Sequence, residues 1–293
     1  MPDVLLATCA DLPHGDEDAE LLTAALRRAG VDPHWAAWTD PAVDWSAGLT
    51  VLRSTWDYTA KRERFLDWVR ALPQVANPAD VVVWNTDKVY LRDLAAAGVP
   101  IVETAFAAPG EPVAFPVDGE VVVKPSVGAG SRGAGRFTAD RRSAAAEHAA
   151  ALHAAGRTVL VQPYLADVDD AGETALIHVD GRFTHAIRKG PMLPAGVAHP
   201  VQGHELYVEE RIDARAPAPA ELEVAAAALA HVRDRFDAVP LYARVDLLPS
   251  PAGPVVIELE LVEPSLFLSY AADGGPDALS PADLLAAAIA ARR

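Results

Sequence analysis

Short apolar runs alternate with amphipathic segments over the first third of the chain. The runs are VLLAT (4–8), HWAAW (34–38) and LTVLRS (49–54). Each has the length of a buried β-strand, whereas segments 19–30 and 62–72 place apolar residues at helical spacing. Because strands that alternate with helices favour a parallel sheet, the pattern predicts an α/β lobe over residues 1–86.

The middle of the chain predicts strands on either side of a glycine-rich loop. We expect a helix at 87–98, strands at 121–124 and 136–138, a helix at 140–156 and a strand at 158–165. The glycine-rich loop lies between the second and third of these elements. These elements predict a second lobe over residues 87–163.

The remaining chain predicts a third lobe over residues 164–293. Its first two strands, 173–179 and 182–187, are joined by Asp180-Gly181, a pair typical of a tight hairpin. Residues 190–210 show no periodicity, and a loop of that length is a candidate lid. Further on come a helix at 221–236, strands at 241–248 and 255–261, and a helix at 280–293. The fold class is therefore α/β, assembled from α+β lobes.

Composition and charge narrow the classes of partner. The 293-residue chain is 51% hydrophobic and 23% charged, as in globular proteins, and its formal net charge is −16. Such a charge argues against binding to nucleic acid or to an anionic membrane surface, since both require a positive field. The first residues lack the pattern of a signal peptide, and no apolar stretch is long enough to span a bilayer. We expect a cytoplasmic protein; homo-oligomer formation stays open.

The stretch VVVKPSVGAGSRGAGRF (121–137) contains Gly128, Gly130 and Gly133 in the order G-x-G-x-x-G. A P-loop would need Gly-Lys after its glycines, and Ala134 stands there instead. A dinucleotide fold would need a helix at once and an acidic residue about 20 positions later, and the sequence predicts neither. An NAD(P)-dependent oxidoreductase thus remains only as an alternative.

A third kind of phosphate-binding element, a flexible hairpin preceded by a lysine, fits the same loop better. Lys124 ends an apolar strand just before the glycines, where its ammonium could reach phosphate oxygens. The glycines leave backbone N–H groups free to approach a phosphate, as in a mobile hairpin over a triphosphate. A surface hairpin with a solvated lysine is the equally weighted alternative.

Carboxylates near the end of the chain suggest a metal site. Glu258 and Glu260 lie two residues apart in an apolar strand and therefore share a face, and Asp246 lies on the strand before. Such a pair is costly unless a cation neutralises it, and Mg²⁺ prefers hard oxygen ligands of this kind. The alternative is an exposed strand edge.

Three basic residues are candidates for stabilising a phosphoryl group or a tetrahedral intermediate. Arg244, two residues before Asp246, shares the face of that carboxylate. Arg188 and Lys189 close the strand at 182–187 and could do the same, or could simply be solvated.

The strand at 49–54 runs into Arg53-Ser54-Thr55-Trp56-Asp57. Ligands bind at the carboxyl ends of strands in α/β lobes, so Arg53, Thr55, Trp56 and Asp57 are candidate substrate residues. Arg53 could hold a carboxylate in a bidentate pair. A packed turn is the alternative at even odds.

Taken in order, VVVKPSVGAGSRG, VLVQPYL, ARVDLL and VIELELVEPSLF resemble the ATP-grasp superfamily, over roughly residues 85–268. The resemblance implies an ATP-grasp fold preceded by an N-terminal α/β pre-ATP-grasp domain. It implies that Lys88 and Lys124 contact the nucleotide and that the glycine loop, with Ser126 and Ser131, closes over the phosphates.

The same resemblance implies the rest of the nucleotide site. Gln162, Tyr164 and Leu165 would form the hinge at adenine, and Glu173 would meet the ribose, with Asp169 as a competitor. Asp246, Glu258 and Glu260 would bind two Mg²⁺ ions. The chain departs from the family at Gln162, where Glu is frequent, and at Glu258-Leu259-Glu260, where Glu-x-Asn is usual.

The activity implied is an ATP-dependent carboxylate–amine or amide ligase that acts through an acyl phosphate. With VLRSTWDY and WNTDK added, the motifs look most like a bacterial group that contains the O-ureido-D-serine cyclo-ligase. That likeness implies a small amino-acid-like substrate. A ligase that joins two substrates is the alternative; a non-catalytic ATP-binding protein has less need of the acidic set.

Overall fold

The computed structural model of the protein describes residues 3–191, 193, 211–271 and 279–293. Its strands form three sheets, each within one of the three predicted segments. The predicted lid at 190–210 lies outside the described residues except at positions 190, 191 and 193.

The first sheet is parallel, as the alternating pattern predicted. It has the order β2-β1-β3, with β1 (Val4–Thr8), β2 (Pro33–Ala37) and β3 (Leu49–Ser54). Helices α1 (Ala19–Arg28) and α2 (Arg62–Ala71) belong to this lobe, and a 3₁₀ turn (Trp56–Ala60) follows β3. All of β1 is buried because the strand is central and covered on both faces.

The second sheet is antiparallel and carries the glycine loop. Two short helices precede it, α3 (Ala79–Asn85) and α4 (Tyr90–Ala96). The strands β4 (Ala105–Ala107), β5 (Val121–Pro125), β6 (Gly135–Phe137) and β7 (Val159–Pro163) lie in the order β4-β7-β5-β6. Helix α5 (Arg142–Ala154) packs on this sheet.

The third sheet is also antiparallel, in the order β10-β9-β8-β11-β12. Its strands are β8 (Glu173–Val179), β9 (Arg182–Lys189), β10 (Ile212–Arg215), β11 (Tyr242–Leu248) and β12 (Val255–Glu260). The helices are α6 (Val168–Ala171), α7 (Pro219–Phe236) and α8 (Pro281–Ala290). Over the described ranges, none of the helices combines the length and apolar character needed to cross a bilayer.

The hydrophobic cores join the three segments. Leu285 and Ile289 of α8 lie in one core cluster with Leu6 and Leu26 of the first lobe. Helices α3 and α4 pack on the third sheet, in a cluster that includes Val245. The boundaries predicted from sequence therefore separate the sheets but not the cores.

The outer edge of β12 is held by a short parallel bridge between Ile101 and Val256 and, further along, by polar side chains. Asn85 accepts a hydrogen bond from N of Leu261 at 2.7 Å and donates to O of Leu259 at 2.8 Å. The hydroxyl of Tyr90 accepts from N of Leu259 at 2.8 Å. Because an open strand edge presents unpaired backbone groups, these contacts fix the strand on which Glu258 and Glu260 lie.

The glycine loop connects two antiparallel strands. Val123 pairs with Gly135 at the base of the hairpin, and no helix follows Gly133. This topology excludes a dinucleotide-binding turn, in which the last glycine opens a helix. Gly130 (φ +58°) and Gly133 (φ +73°) adopt left-handed backbone, which glycine tolerates without a steric cost.

Candidate active site

Two cavities meet at a wall formed by Glu258 and Glu260. The larger has a volume of about 920 Å³ and the smaller about 170 Å³. The residues that line both are Lys88, Gly128, Ala129, Gly130, Arg244, Glu258 and Glu260. Residues that were predicted separately from the sequence, on a strand, at a lysine and in the glycine loop, meet here. We call this set the shared wall.

The register between β11 and β12 brings the charged residues of the shared wall together. Asp246 pairs with Glu258 and Arg244 pairs with Glu260 directly across the two strands. Side chains two residues apart on a strand share a face, so all four lie on one side of the sheet. The prediction that Glu258 and Glu260 are neighbours with Arg244 and Asp246 is therefore confirmed by the geometry.

Each carboxylate on this face has a basic partner. Lys88 Nζ lies 2.8 Å from Oε1 of Glu258 and donates to O of Gly128 at 2.7 Å, which links the glycine loop to the strand. Arg244 contacts Glu260 at 2.5 Å and Asp246 at 2.9 Å. Lys189 contacts Asp246 at 2.8 Å and also pairs with Glu173.

These partners set the protonation of the three acids. Burial acts to raise the pKa of Asp246, but Arg244 and Lys189 hold it well below its usual range. Burial also opposes ionisation of Glu258, and Lys88 and Lys124 outweigh it, so its pKa is lowered. At Glu260 burial prevails over Arg244 and raises the pKa to about 7, with Glu258 adding to the effect.

The smaller cavity contains most of the predicted nucleotide residues. Those that line it are Lys88, Lys124, Gly128, Gly130, Ser131, Gln162, Tyr164, Leu165 and Glu173. Lys189, predicted as a catalytic residue, lines it as well. Burial lowers the pKa of Lys124 to about 8. Gln162 donates to Oγ1 of Thr104 at 2.9 Å, while its Oε1 is buried without a hydrogen-bond partner in the described part of the chain.

The side chains of Tyr164 and Asp169 hold each other in position, and neither residue lies on a strand. The hydroxyl of Tyr164 donates to Oδ1 of Asp169 at 2.5 Å, and the guanidinium of Arg136 lies 3.5 Å from the centre of the tyrosine ring. Asp169 does not line the smaller cavity, whereas Glu173 does. Of the two predicted ribose partners, Glu173 therefore has the suitable position.

Two predicted site residues make structural contacts and line neither cavity. Arg188 donates to O of Ala171 and to O of Asp170, both at 2.7 Å, and lines neither cavity. Ser126 also lines neither cavity; its backbone bonds to Lys88 and Thr158 hold the start of the loop. Their contribution is to position neighbours rather than to contact a ligand directly.

The larger cavity has an acidic wall made by separate loops. Asp16 and Asp18 follow β1, Tyr58 follows β3 and Glu263 follows β12. Asp18 accepts hydrogen bonds from N of Leu266 and N of Leu268, so the first loop is tied to the last. The sequence offers two signals for this wall. The Asp16-Glu17-Asp18 cluster favours a helix start, and Glu263, just after the strand of Glu258 and Glu260, is a candidate for a further metal ligand or a substrate contact.

Arg53 has a different role from the one its sequence position predicted. The residue is fully buried, lies 3.3 Å from Asp16, and donates to O of Pro264 at 3.2 Å. It does not line the cavity, so no substrate carboxylate can reach it in this conformation. The packed-turn alternative describes it correctly, because its partners are protein groups.

Only Trp56 of the four predicted substrate residues lines the larger cavity. Its indole N–H donates to O of Glu263 at 3.1 Å. Thr55 is fully buried, and Asp57 accepts from the indole of Trp38 at 2.6 Å and pairs with Lys61 at 2.9 Å. Thr55 and Asp57 shape the turn that presents Trp56.

Arg132, which the sequence gave no reason to single out, connects the glycine loop to the first lobe. It donates to O of Trp56 at 3.0 Å and to Oγ1 of Thr59 at 2.9 Å. Through these bonds the loop over the smaller cavity is fastened to the turn that carries Trp56 in the larger one. The two cavities are thus closed by a common element.

Known proteins are similar to this chain in both sequence and architecture. The family model for the N-terminal domain of D-cycloserine synthetase DcsG matches residues 4–79. The cycloserine biosynthesis protein DcsG of Streptomyces lavendulae is 38% identical over 275 residues, which cover 88% of this chain and 90% of that protein.

Solved structures show the same fold. The crystal structure of D-cycloserine synthetase DcsG covers 99% of this chain and 99% of its own, at 35% identity and a TM-score of 0.86. D-Alanine–D-alanine ligase from Bacillus anthracis, complexed with ATP, covers 100% of this chain and 97% of its own, at 13% identity and a TM-score of 0.64. The expected ATP-grasp fold is confirmed, and the chain belongs to the DcsG family of ATP-grasp ligases.

Proposed function

We propose that the protein is an ATP- and Mg²⁺-dependent ligase of D-cycloserine biosynthesis that closes the ring of O-ureido-D-serine. The observation that carries this proposal is the shared wall, where Glu258, Glu260, Lys88 and Arg244 separate a basic cavity from an acidic one. A phosphoryl donor on one side and a carboxylate acceptor on the other would meet at that wall.

ATP would occupy the smaller cavity. Lys88 and Lys124 supply positive charge for the phosphates, and the backbone of Gly128 and Gly130 allows close approach. The unpartnered Oε1 of Gln162 suits a donor such as the exocyclic amine of adenine. The glutamine carbonyl would then accept a hydrogen bond from that amine.

Glu258 and Glu260 fit Mg²⁺. Over the described ranges, no three His, Cys, Asp or Glu side chains are grouped to hold a metal ion. Mg²⁺ does not need such a group, because it is bound in nucleotide sites by one or two carboxylates together with phosphates. Glu258 and Glu260 line both cavities, whereas Asp246 lines neither and holds Arg244 and Lys189. Bound Mg²⁺ would neutralise charge on the phosphates.

The reaction would start with transfer of the γ-phosphoryl group of ATP to the substrate carboxylate, which gives an acyl phosphate and ADP. The ureido nitrogen bonded to oxygen would then attack the acyl carbon, form the ring C–N bond and expel phosphate. Loss of the carbamoyl group to water, as carbon dioxide and ammonia, leaves D-cycloserine. One ATP and one water are consumed in this balance.

The protein would contribute positioning and charge rather than covalent chemistry. Arg244, held by Asp246 and Glu260, lines both cavities and can stabilise negative charge that moves between them. Arg132 fastens the glycine loop to the first lobe and so excludes water from the acyl phosphate. The first effect would act during phosphoryl transfer, and the second would act afterwards, until the ureido nitrogen attacks the acyl phosphate.

A ligase that joins two substrates is the second candidate. At about 920 Å³ the larger cavity exceeds the needs of a single amino acid, since pockets of about 300–1,000 Å³ hold drug-sized ligands. A second amine could therefore bind beside the acyl phosphate.

The test is product formation from Mg-ATP and O-ureido-D-serine, with ADP, phosphate and D-cycloserine each quantified and the L-isomer as control. Equal amounts of ADP and D-cycloserine support cyclisation. ADP formation that requires an added second amino acid favours the two-substrate ligase. Failure to bind Mg-ATP in calorimetry contradicts both.

A further inference from the structure

The acidic wall of the larger cavity carries negative charge that has no role in the proposed reaction. Asp16, Glu17, Asp18 and Glu263 line the cavity together with the carboxylates of the shared wall. The only basic residues among the described lining residues are Lys88 and Arg244, and both pair with Glu258 or Glu260. The cavity therefore has an excess of negative charge.

Glu263, a member of this wall, has a pKa that burial raises well above its usual range, and the nearby Glu260 adds to the effect. Its residue exposure is 7%, yet its side chain makes no hydrogen bond or ion pair with any residue of the described ranges. Its backbone oxygen, in contrast, is engaged by the indole of Trp56. A buried carboxylate without a partner is costly, and a cationic ligand group removes that cost.

Asp16 supplies a second unsatisfied acceptor on the same wall. Its side chain is 3% exposed, its Oδ2 pairs with Arg53, and its Oδ1 is buried with no hydrogen-bond partner among the described residues. Asp18 is the matched contrast, because two backbone N–H groups satisfy both of its oxygens. Unsatisfied buried acceptors are rare in folded proteins and are typical of ligand sites.

We infer that Glu263, with Oδ1 of Asp16, binds the protonated α-amino group of the substrate. The inference rests on the proposed function, since an amino acid brings one carboxylate to be phosphorylated and one ammonium to be held. An ammonium has three N–H donors and one positive charge, which matches the carboxylate of Glu263 together with the unpartnered Oδ1 of Asp16.

This placement orients the substrate. The carboxylate would face Arg244 on the shared wall, and the ammonium would face Glu263 on the acidic wall of the same cavity. A second carboxylate in place of the ammonium would meet Glu263 and be repelled, so the wall selects amino acids over dicarboxylic acids. Glu263 is thus a specificity-determining residue.

The test compares O-ureido-D-serine with 3-(ureidooxy)propanoate, the same molecule without its amino group. We expect kcat/KM of the wild-type enzyme to favour the amino compound by about 100-fold, as for a buried charge pair that loses one partner. In Glu263→Gln the preference should fall to a few-fold while the KM for ATP and the Mg²⁺ requirement stay unchanged. Glu17→Gln, an exposed acid on the same cavity, is the matched control and should keep the preference.

The outcomes distinguish the inference about Glu263 from the proposed function. Equal turnover of both compounds by the wild-type enzyme, or an undiminished preference in Glu263→Gln, overturns the inference and leaves the proposed function standing. A raised Mg²⁺ requirement in Glu263→Gln also overturns it and assigns the residue to the metal. If neither compound is turned over, the proposed function fails. The inference then depends on thermal shift with D- and L-amino acids and an ATP analogue, and the absence of any Glu263-dependent shift overturns it.

Discussion

The two cavities that meet at the shared wall are built in different ways. The smaller one is lined largely by residues on or beside paired strands, among them Lys124 on β5, Glu173 on β8 and Lys189 on β9. The larger one is lined mainly by the loops after β1, β3 and β12. The first is basic and the second is acidic, which teaches that sheet register assembles the proposed nucleotide side and loop docking assembles the proposed substrate side.

The largest expected effect is loss of catalysis at the basic side. Lys124→Met should lower turnover at least about 1,000-fold, because a phosphate-binding charge is removed from a closed site. The melting temperature of the apo protein should not fall, since Lys124 is buried with its pKa lowered by that burial. Phosphate release and a thermal melt measure both effects, with Lys61→Met on the exposed surface as control. Near-wild-type turnover would contradict the assignment of the smaller cavity to ATP.

A large effect on folding, not on binding, is expected from Arg53. Arg53→Met leaves Asp16 and Asp18 buried without their cation and should lower the free energy of unfolding by about 3–5 kcal/mol. Urea denaturation measures the change, and Arg70→Met on the exposed face of α2 is the control. A raised substrate KM with unchanged stability would instead return Arg53 to the substrate site.

A smaller effect should follow from cutting the connection between the two cavities. Arg132→Ala removes the bonds to Trp56 and Thr59 and should lower kcat/KM about tenfold, in keeping with the loss of one or two hydrogen bonds of a charged donor. Protection of the glycine loop from proteolysis by an ATP analogue should also decrease. Arg141→Ala, at an exposed position, is the comparison. Unchanged protection would mean that the cavities close independently.

The smallest effect is a pH dependence confined to the basic side. Because the pKa of Lys124 is about 8 in the free protein, ATP must bind together with a proton above that pH. Affinity for Mg-ATP should therefore fall as the pH rises from 8 to 9, by about fivefold, since the protonated fraction of Lys124 falls from about one half to about one tenth. Calorimetry across that range measures it, and in Lys124→Met the slope should disappear.

The same contrast explains what the sequence could predict. The position of Glu258 and Glu260 on one face, and the place of the glycine hairpin between two strands, follow from strand periodicity alone. Residues two apart on one strand share a face whatever the rest of the fold does, so these features were predictable. The meeting of β12 with Lys88 and the glycine loop depends on tertiary packing and does not follow from periodicity.

Arg53 shows why the larger cavity, the proposed substrate side, could not be predicted from the sequence. A strand-end arginine looks the same whether its partner is a ligand or a carboxylate, and its partners Asp16 and Pro264 lie far away in the chain. The contacts of Arg132 and Asp16 could not be predicted, because they depend on how loops of different lobes dock; the acidic cluster at 16–18 indicated only a helix start. Tertiary partners of this kind leave no periodic signal in a single sequence.

The packing of α8 on the first lobe has a consequence for biosynthesis. The face of α1 that bears Leu22 and Leu26 shares its core with Leu285 and Ile289, which are translated long after it. On the ribosome the first lobe would therefore present an uncovered apolar face until α8 emerges, and chaperone contact during translation is most useful over that interval. The order in which the chain is made is thus not the order in which its first lobe becomes stable.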